Sequence, residues 1–189
     1  YSLIDGHIGS YASAATVDSR AFLGGQAATI DINGGMIFVI RCQITSASVP
    51  SDVRWFMGLR NGASPTNAAI NSFTRIIGIG RDPAQGTNIH FYHNDNAGTA
   101  TSIDLGSGFA IGTTVGIPLE VKITNVFESG SYDYVITRLD TGVTATGTVS
   151  TDVDDTVGYA CFAMIFNNTS ATQVAIGLIS CSVTIPYST

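Results

Sequence analysis

The residues best suited to chemistry stand together in one stretch, HFYHNDNAGTATSIDL, residues 90 to 105. Its first seven positions hold two histidines, a tyrosine, two asparagines and an aspartate, in a chain with only 12% charged residues. These residue types serve acid–base catalysis, metal binding or hydrogen bonding to a polar ligand. The choice among the three depends on the structural elements that position the side chains.

The alternation of apolar and polar residues from 88 to 93 predicts a strand. His90, Tyr92 and Asn94 then lie on one face, and His93 lies on the other. A zinc site needs both histidines on one side together with further ligands. We therefore predict no metal at this stretch.

Asn and Asp follow at the end of this strand, and they favour turns because they tolerate left-handed backbone and bind their own amides. One interpretation is a plain turn. The other is a rim of hydrogen-bonding groups beside an aromatic face, which is what sugar hydroxyls and C–H surfaces require. The residues of this rim are His90, Tyr92, Asn94, Asp95 and Asn96.

Three further residues complete the set of candidate ligand contacts. Trp55, the sole tryptophan, is either a core aromatic between sheets or a platform for a sugar ring. Arg81 and Asp82 follow an apolar run, and they either recognise a glycan or pair with each other. In each case the structural interpretation is the favoured one.

Carboxylate pairs for catalysis are scarce. Glu120 and Glu128 are the only glutamates, and neither has an acidic partner two or four residues away, the spacing typical of jelly-roll glycosidases. Asp152, Asp154 and Asp155 offer oxygen ligands for calcium, but a solvated acidic turn is the favoured interpretation. We predict no enzyme activity, no catalytic residue and no cofactor.

Composition narrows the class of protein. Hydrophobic residues make up 44% of the 189 residues, which favours one domain over residues 1–189 with a large core. Within this domain, residues 1–30 are expected to form an N-terminal connecting or edge segment. Acidic residues outnumber basic ones by 14 to 8, so nucleic acid is not an expected partner. No apolar run reaches the roughly 18 residues needed to cross a bilayer as a helix, so membrane insertion is not expected.

Cysteine usage is simple. Cys42, Cys161 and Cys181 each sit in an apolar segment, and three cysteines cannot all pair within one chain. We therefore predict buried free thiols rather than a disulfide framework.

The pattern along the chain predicts an all-β fold. About ten apolar or alternating runs recur between turn residues, and no long stretch keeps a helical period. In LEVKIT the alternate residues Leu119, Val121 and Ile123 are expected to face the core. Asp140-Thr141-Gly142 predicts a hairpin turn. So many antiparallel strands imply a two-sheet β-sandwich, a jelly roll. The runs FAMIF and LISCSVTI alternate poorly, which is typical of central strands covered on both faces or of strands at a subunit interface.

The order of RWFMGLRNG, IIGIGRD, IHFYHNDNAGTATSIDLG, PLEVKITNV and YDYVITRLDTGVTATGTVSTDV resembles the carboxy-terminal β-sandwich of bacteriophage tail fibres and tailspikes. The resemblance covers roughly residues 36 to 185. It implies a concanavalin-like, lectin-like jelly roll. It also implies a homotrimeric virion protein at a fibre tip or on the capsid exterior, with host cell-surface glycans and other virion proteins as partners.

Two alternatives remain beside glycan recognition. A capsid-decoration or trimerisation module uses the same sandwich without a ligand, and a glycoside hydrolase is the less favoured third class. No repetitive stalk precedes the sandwich in this sequence, so we expect either a module excised from a fibre or a standalone virion protein.

Overall fold

The computed structural model describes residues 9–16, 18–24, 30–44, 51–62, 67–111, 117–127 and 129–185. This part of the chain contains thirteen strands and three short 3-10 turns, at Ile70–Ser72, Pro83–Gln85 and Ser107–Phe109. The strands are β1 (Gly9–Ala12), β2 (Arg20–Gly24), β3 (Ile30–Asp31), β4 (Met36–Ile44), β5 (Arg54–Arg60), β6 (Ile76–Arg81), β7 (His90–Asn94), β8 (Thr101–Asp104), β9 (Ile117–Asn125), β10 (Tyr132–Arg138), β11 (Thr144–Val149), β12 (Gly158–Phe166) and β13 (Ala175–Thr184).

The strands form two sheets whose paired neighbours are all antiparallel. Sheet A has the order β1-β13-β4-β9-β10-β11. Sheet B has the order β2-β12-β5-β6-β7-β8, and β3 also pairs with β12. The prediction of an all-β, two-sheet antiparallel sandwich is confirmed.

Sheet A shows the period of two that the sequence predicted. Leu119, Val121 and Ile123 of β9 are fully buried, whereas Lys122 is exposed. The hairpin between β10 and β11 is also confirmed, and Gly142 in its turn has a positive φ of 73°. One face of sheet A therefore packs on the core while the other faces solvent.

Sheet B is covered on both faces, and every residue of β6 and β7 is buried. Its inner face carries residues such as Ile79 and Phe91, which belong to the core between the sheets. Its outer face carries a second apolar cluster, covered by residues 67 to 75, which we call the covering segment. This outer cluster contains Phe56, Ile70, Phe73, Ile76, Tyr92, Ala100, Phe162, Met164 and Phe166.

The two sheets meet through aromatic side chains. The ring of Phe91 in β7 stacks on the ring of Tyr134 in β10, with centroids 4.1 Å apart and planes 18° apart. Such stacking adds to the free energy gained by burying both rings. This contact holds β7, the strand of the histidine-rich stretch, in a fixed position against sheet A.

Three of the strands, β1, β2 and β8, were not predicted from the sequence. β1 and β2 lie at the edges of sheets A and B, and β8 lies at the other edge of sheet B. All three have at most five residues, too few for a clear alternating pattern. Both strands with poor alternation lie inside their sheets, β12 between β2 and β5 and β13 between β1 and β4. The prediction of a central strand covered on both faces is confirmed for β12, whereas β13 is only partly buried along its outer face.

The cysteines are free thiols, as predicted. Cys42 and Cys181 are buried. Cys161 differs from the prediction, because it is only partly buried on β12.

Candidate functional site

Trp55 lies in the core between the two sheets, with no exposed surface. A sugar ring needs an accessible aromatic face for stacking. The structure therefore corrects the assignment of Trp55 as a candidate ligand contact and supports its alternative role as a core aromatic.

Arg81 and Asp82 are also buried, and both fix loops. Arg81 donates from Nε to the carbonyl of Gly86, 3.1 Å away, and from Nη2 to the carbonyl of Ser51, 2.8 Å away. Asp82 forms an ion pair with Arg54, whose Nε stands 2.8 Å from Oδ2. The sequence had not singled out Arg54 as the partner of Asp82.

Asp82 also attaches the covering segment to sheet B. Its Oδ2 accepts a hydrogen bond from the amide of Ile70 at 2.8 Å, and its Oδ1 accepts one from the amide of Ala84 at 3.2 Å. Arg54 extends the network, because its Nη1 donates to Oδ1 of Asn67 at 3.0 Å. This buried carboxylate therefore positions the segment that closes the outer face, and the structure offers it no open surface for a ligand.

The strand β7 presents its residues as predicted. His90, Tyr92 and Asn94 lie on the outer face of sheet B, while His93 lies on the inner face with Phe91, as the strand pairing shows. The two histidines therefore diverge.

The outer-face residues of β7 are not the exposed rim that was predicted. Tyr92 is 0% exposed, Asn94 1% and His90 7%, because neighbouring loops pack over them. The hydroxyl of Tyr92 donates a hydrogen bond to Oε1 of Gln85. Burial raises the pKa of Tyr92, so its hydroxyl stays protonated at neutral pH.

Asp95 and Asn96 form a turn and also reach solvent. Oδ1 of Asp95 accepts hydrogen bonds from the amides of Asn96, at 2.5 Å, and of Ala97, at 2.7 Å. These bonds lower the pKa of Asp95, with the Ala97 amide as the larger cause. The turn interpretation is confirmed, and a ligand-binding role for these two residues stays a prediction.

The best candidate site lies at the free edge of the β7–β8 hairpin. Ser102 and Asp104 of β8 stand directly across from Tyr92 and His90 of β7. Oγ of Ser102 lies 2.8 Å from Nδ1 of His90. In the part of the chain that the structure describes, no strand pairs with the outer edge of β8. Backbone polar groups along that edge are therefore available to a ligand.

Asp104 is the exposed charge of this hairpin. Nδ2 of Asn88 donates to both of its carboxylate oxygens, at 2.9 and 3.0 Å, and the amide of Gly106 donates to Oδ1 at 2.8 Å. These bonds lower the pKa of Asp104, with the Gly106 amide as the largest cause. The carboxylate is therefore ionised and held in one orientation.

Two buried polar atoms of β7 have no hydrogen-bond partner among the described residues, Nε2 of His90 and Oδ1 of Asn94. Buried polar atoms are nearly always paired, with protein or with another group. We use the name edge strip for the polar residues along this edge of sheet B. They are Asn88, His90, Ser102 and Asp104, together with the turn residues Asp95 and Asn96.

Sequence reasoning missed Asn88, Ser102 and Asp104. A signal was present in TSID, where Ser102 and Asp104 alternate with Ile103, whose side chain packs against the core. Four residues are too few for that alternation to stand out from a loop.

Two other acidic residues form ion pairs away from this edge. Asp154 pairs with Arg75, whose Nε lies 2.8 Å from Oδ2, and Glu120 pairs with Arg41 on sheet A at 2.6 Å. Glu128 lies outside the described residues. Across the described ranges, no three His, Cys, Asp or Glu side chains are grouped so that they could hold a metal ion. Within the same ranges, no helix has the length and hydropathy required to span a bilayer.

Comparison with known proteins defines the fold and leaves the family open. No family model and no curated protein matches the chain. Among solved structures, the chain is similar to the CBM2 module of the evolved Dit of Lactobacillus casei BL23 phage J-1, with 12% identity, a TM-score of 0.60, and coverage of 99% of this chain and 83% of the other.

Plant lectins share the same architecture. The Lotus tetragonolobus seed lectin has 12% identity and a TM-score of 0.60, over 95% of this chain and 90% of the lectin. A family 7 alginate lyase, A1-II′, also matches, with 12% identity and a TM-score of 0.56, over 94% of this chain and 79% of the lyase. The fold is a lectin-like β-sandwich.

Proposed function

We propose that this chain is a carbohydrate-binding module and that the edge strip of sheet B binds the glycan. The observation that carries the proposal is the free edge of the β7–β8 hairpin, where Asn88 holds the exposed carboxylate of Asp104 and Ser102 contacts Nδ1 of His90. Similarity in fold to lectins and to a phage CBM2 module supports it.

The chemistry of the edge strip suits sugar hydroxyls. A hydroxyl both donates and accepts, so it pairs with a carboxylate that accepts and with an amide or imidazole that donates. Hydrogen bonds to an ionised group are the strong ones, and the lowered pKa keeps Asp104 ionised. Asn88 and Gly106 fix the carboxylate before the ligand arrives, which reduces the entropy cost of binding.

We further propose that the module belongs to a bacteriophage virion protein, a tail fibre or tailspike tip, and that its ligand is a glycan of the host cell surface. The order of segments along the chain and the similarity to a module of phage J-1 support this assignment. A homotrimer that contacts other virion proteins is part of the same proposal.

Binding is proposed to occur without cleavage of the sugar chain. A glycosidase needs one carboxylic acid that stays protonated to act on the leaving group, and so a raised pKa. Asp95 and Asp104, the carboxylates of the edge strip, both have a lowered pKa. Tyr92 is fully buried beneath the surrounding loops, which removes it as a proton donor to a substrate.

The experiment is a glycan array with the purified chain, followed by titration calorimetry on the best ligand. Asp104→Ala is expected to weaken binding by roughly tenfold or more, because it removes a charge-assisted hydrogen bond. Asn88→Ala is expected to weaken it less, since the carboxylate stays. Lys122→Ala, on the exposed face of sheet A, is the matched control and is expected to leave affinity unchanged.

Binding that survives Asp104→Ala and Asn88→Ala would move the site away from the edge strip. The absence of binding to any envelope glycan would reject the proposed function. Shortening of a polysaccharide during incubation with the chain, measured by size-exclusion chromatography, would contradict binding without cleavage.

A structural module is the second candidate, and exposed apolar residues favour it. Val126 is 67% exposed, Phe127 51% and Ile185 44%, at the end of the sandwich where β9 and β13 finish. Such residues suit a subunit contact. Light scattering tests the subunit contact, with a mass three times the 19.7 kDa of one chain expected for the homotrimer. An intact trimer that binds no glycan would favour the structural module over glycan binding. Phe127→Ser is expected to lower that mass.

A further inference from the structure

Cys161 and Cys181 face each other across the interior of the sandwich. Cys161 belongs to β12 of sheet B and Cys181 to β13 of sheet A. Their sulfur atoms lie 2.6 Å apart. Heavy atoms that are not bonded settle at about 3.5 to 4 Å, and a disulfide bond measures about 2.05 Å. The separation of the two sulfurs therefore lies between that of an ordinary non-bonded contact and that of a disulfide bond.

A local irregularity in β13 places Cys181 in this position. Leu178 pairs with Cys42 of β4, but the register then shifts, so that Ser180 pairs with Arg41 and Cys181 with Ile40. With a regular register, Cys181 would lie opposite Val39, on the less buried, outward-facing side of β4. The bulge turns its side chain to the inner face, toward Cys161, which is how bulges redirect side chains.

The two thiols differ in access. Cys161 is partly exposed on β12, whereas Cys181 is 6% exposed. Cys42 is fully buried, and burial raises the pKa of its thiol to about 12. The hydrogen bond from Cys161 lowers the pKa of Cys181, which favours a thiolate at that sulfur. Cys42 is thus an unreactive internal reference for the pair.

We propose that Cys161 and Cys181 are a redox pair that closes to an inter-sheet disulfide, while Cys42 remains a thiol. The oxidant is a small-molecule disulfide such as oxidised glutathione. Cys161, the more exposed thiol, passes its proton to the Cys181 thiolate as its sulfur attacks one glutathione sulfur, breaks the glutathione disulfide and releases one glutathione thiolate. The released glutathione thiolate then takes the proton from Cys181. The Cys181 thiolate then attacks the sulfur of Cys161 and releases the second. Two protein thiols and one glutathione disulfide become one protein disulfide and two glutathione thiols.

The bond joins sheet B to sheet A and closes a loop between residues 20 positions apart. A cross-link of this span restricts the unfolded chain, and we expect the oxidised protein to melt roughly 6 to 12 °C above the reduced one.

Intact-mass spectrometry tests the pair. The native chain is incubated with oxidised glutathione, or with a reductant in a parallel sample, and the remaining thiols are alkylated in denaturant. The oxidised sample is expected to be two mass units lighter before alkylation and to take one label, on Cys42, where the reduced sample takes three. Peptide mapping is expected to recover Cys161 linked to Cys181.

Two variants serve as controls. Cys42→Ala is expected to lose two mass units on oxidation and then take no label. Cys181→Ser is expected to form no intramolecular disulfide and to show no oxidation-dependent rise in melting temperature. Three alkylated thiols after oxidation, a disulfide that includes Cys42, or a stable glutathione adduct on Cys161 would each overturn the proposal. The wild-type chain alone decides it, so a variant that fails to fold leaves the test intact.

Discussion

The outer faces of the two sheets are built in opposite ways. On sheet A, the strand β4 alternates between buried and more exposed residues, so its outer face meets solvent. On sheet B, all five residues of β7 are buried, because the covering segment and the outer cluster lie over that face. The same kind of antiparallel strand is thus half-covered in one sheet and enclosed in the other.

This difference shows where a ligand can bind. An enclosed face contributes stability but offers little surface, and a flat polar face offers surface but few fixed groups. The edge strip lies where the cover of sheet B ends, so Asn88 and Asp104 stand beside the buried His90 and still reach solvent. Rigid support beneath accessible polar groups is what a binding site requires.

The largest expected effect comes from removing an aromatic ring of the outer cluster. Phe56→Ala is expected to lower the free energy of unfolding by about 3 to 5 kcal/mol, since the ring is fully buried. Val135→Ala, at a 39% exposed position on the outer face of sheet A, is expected to cost less than about 1 kcal/mol. Urea denaturation measures both. Equal losses would contradict the contrast between the two faces.

The ion pairs of the two sheets sharpen the comparison. Arg54 and Asp82 are 12% and 4% exposed, whereas Arg41 and Glu120 are 54% and 27% exposed. Asp82→Ala leaves a buried guanidinium unpaired and releases the covering segment, so we expect a loss of about 3 kcal/mol. Glu120→Gln is expected to change stability by less than about 1 kcal/mol.

A double-mutant cycle with Arg54→Ala and Asp82→Ala checks the buried pair. The two losses are expected to be strongly non-additive, because each variant alone leaves a charge without its partner. Additive losses would show that Asp82 acts only through its bonds to the backbone amides.

The dependence of stability on acid pH distinguishes the ion pair of Asp154 with Arg75, which are distant in sequence, from that of Asp140 with Arg138, which are close. The hydroxyl of Thr156 and then the guanidinium of Arg75 lower the pKa of Asp154, while Arg138, two residues away, lowers that of Asp140. A depressed folded-state pKa contributes stability above the unfolded value of 3.8, and this is lost as the pH falls through the folded value.

Asp154→Asn is therefore expected to lower stability by about 1 kcal/mol at pH 7 and to flatten its decline below pH 4. Asp140→Asn is expected to change stability less, since the ion pair of Asp140 with Arg138 joins residues only two positions apart. The measurement is urea denaturation at a series of pH values. An unchanged acid profile in Asp154→Asn would remove this ion pair as a source of stability.

The smallest effect compares two buried hydroxyls. Tyr92→Phe is expected to cost about 1 kcal/mol, because it leaves Oε1 of Gln85 without its donor. Tyr132→Phe is expected to be neutral or stabilising, because its buried hydroxyl has no hydrogen-bond partner among the described residues. Thermal denaturation measures both, and a large loss in Tyr132→Phe would indicate a bound water at that hydroxyl.

Local patterns predicted much of the fold and part of the site. The alternation around Lys122, the turn at Gly142 and the opposite faces of His90 and His93 all follow from the period of a strand, and all are confirmed. The burial of Tyr92 was not predictable in this way. It depends on the covering segment, which is distant in sequence and contributes Ile70 and Phe73 to the outer cluster.

Sequence by itself determined that this protein is built from strands and which residues of a strand share a face, because both arise from residues one or two positions apart. Tertiary structure alone decided that Asp82 pairs with Arg54, that Asp104 is held by Asn88 at an open edge, and that Cys181 turns toward Cys161. Each of these contacts joins separate segments, and a pairing of that kind depends on sheet register and loop packing. No local pattern of residues encodes these.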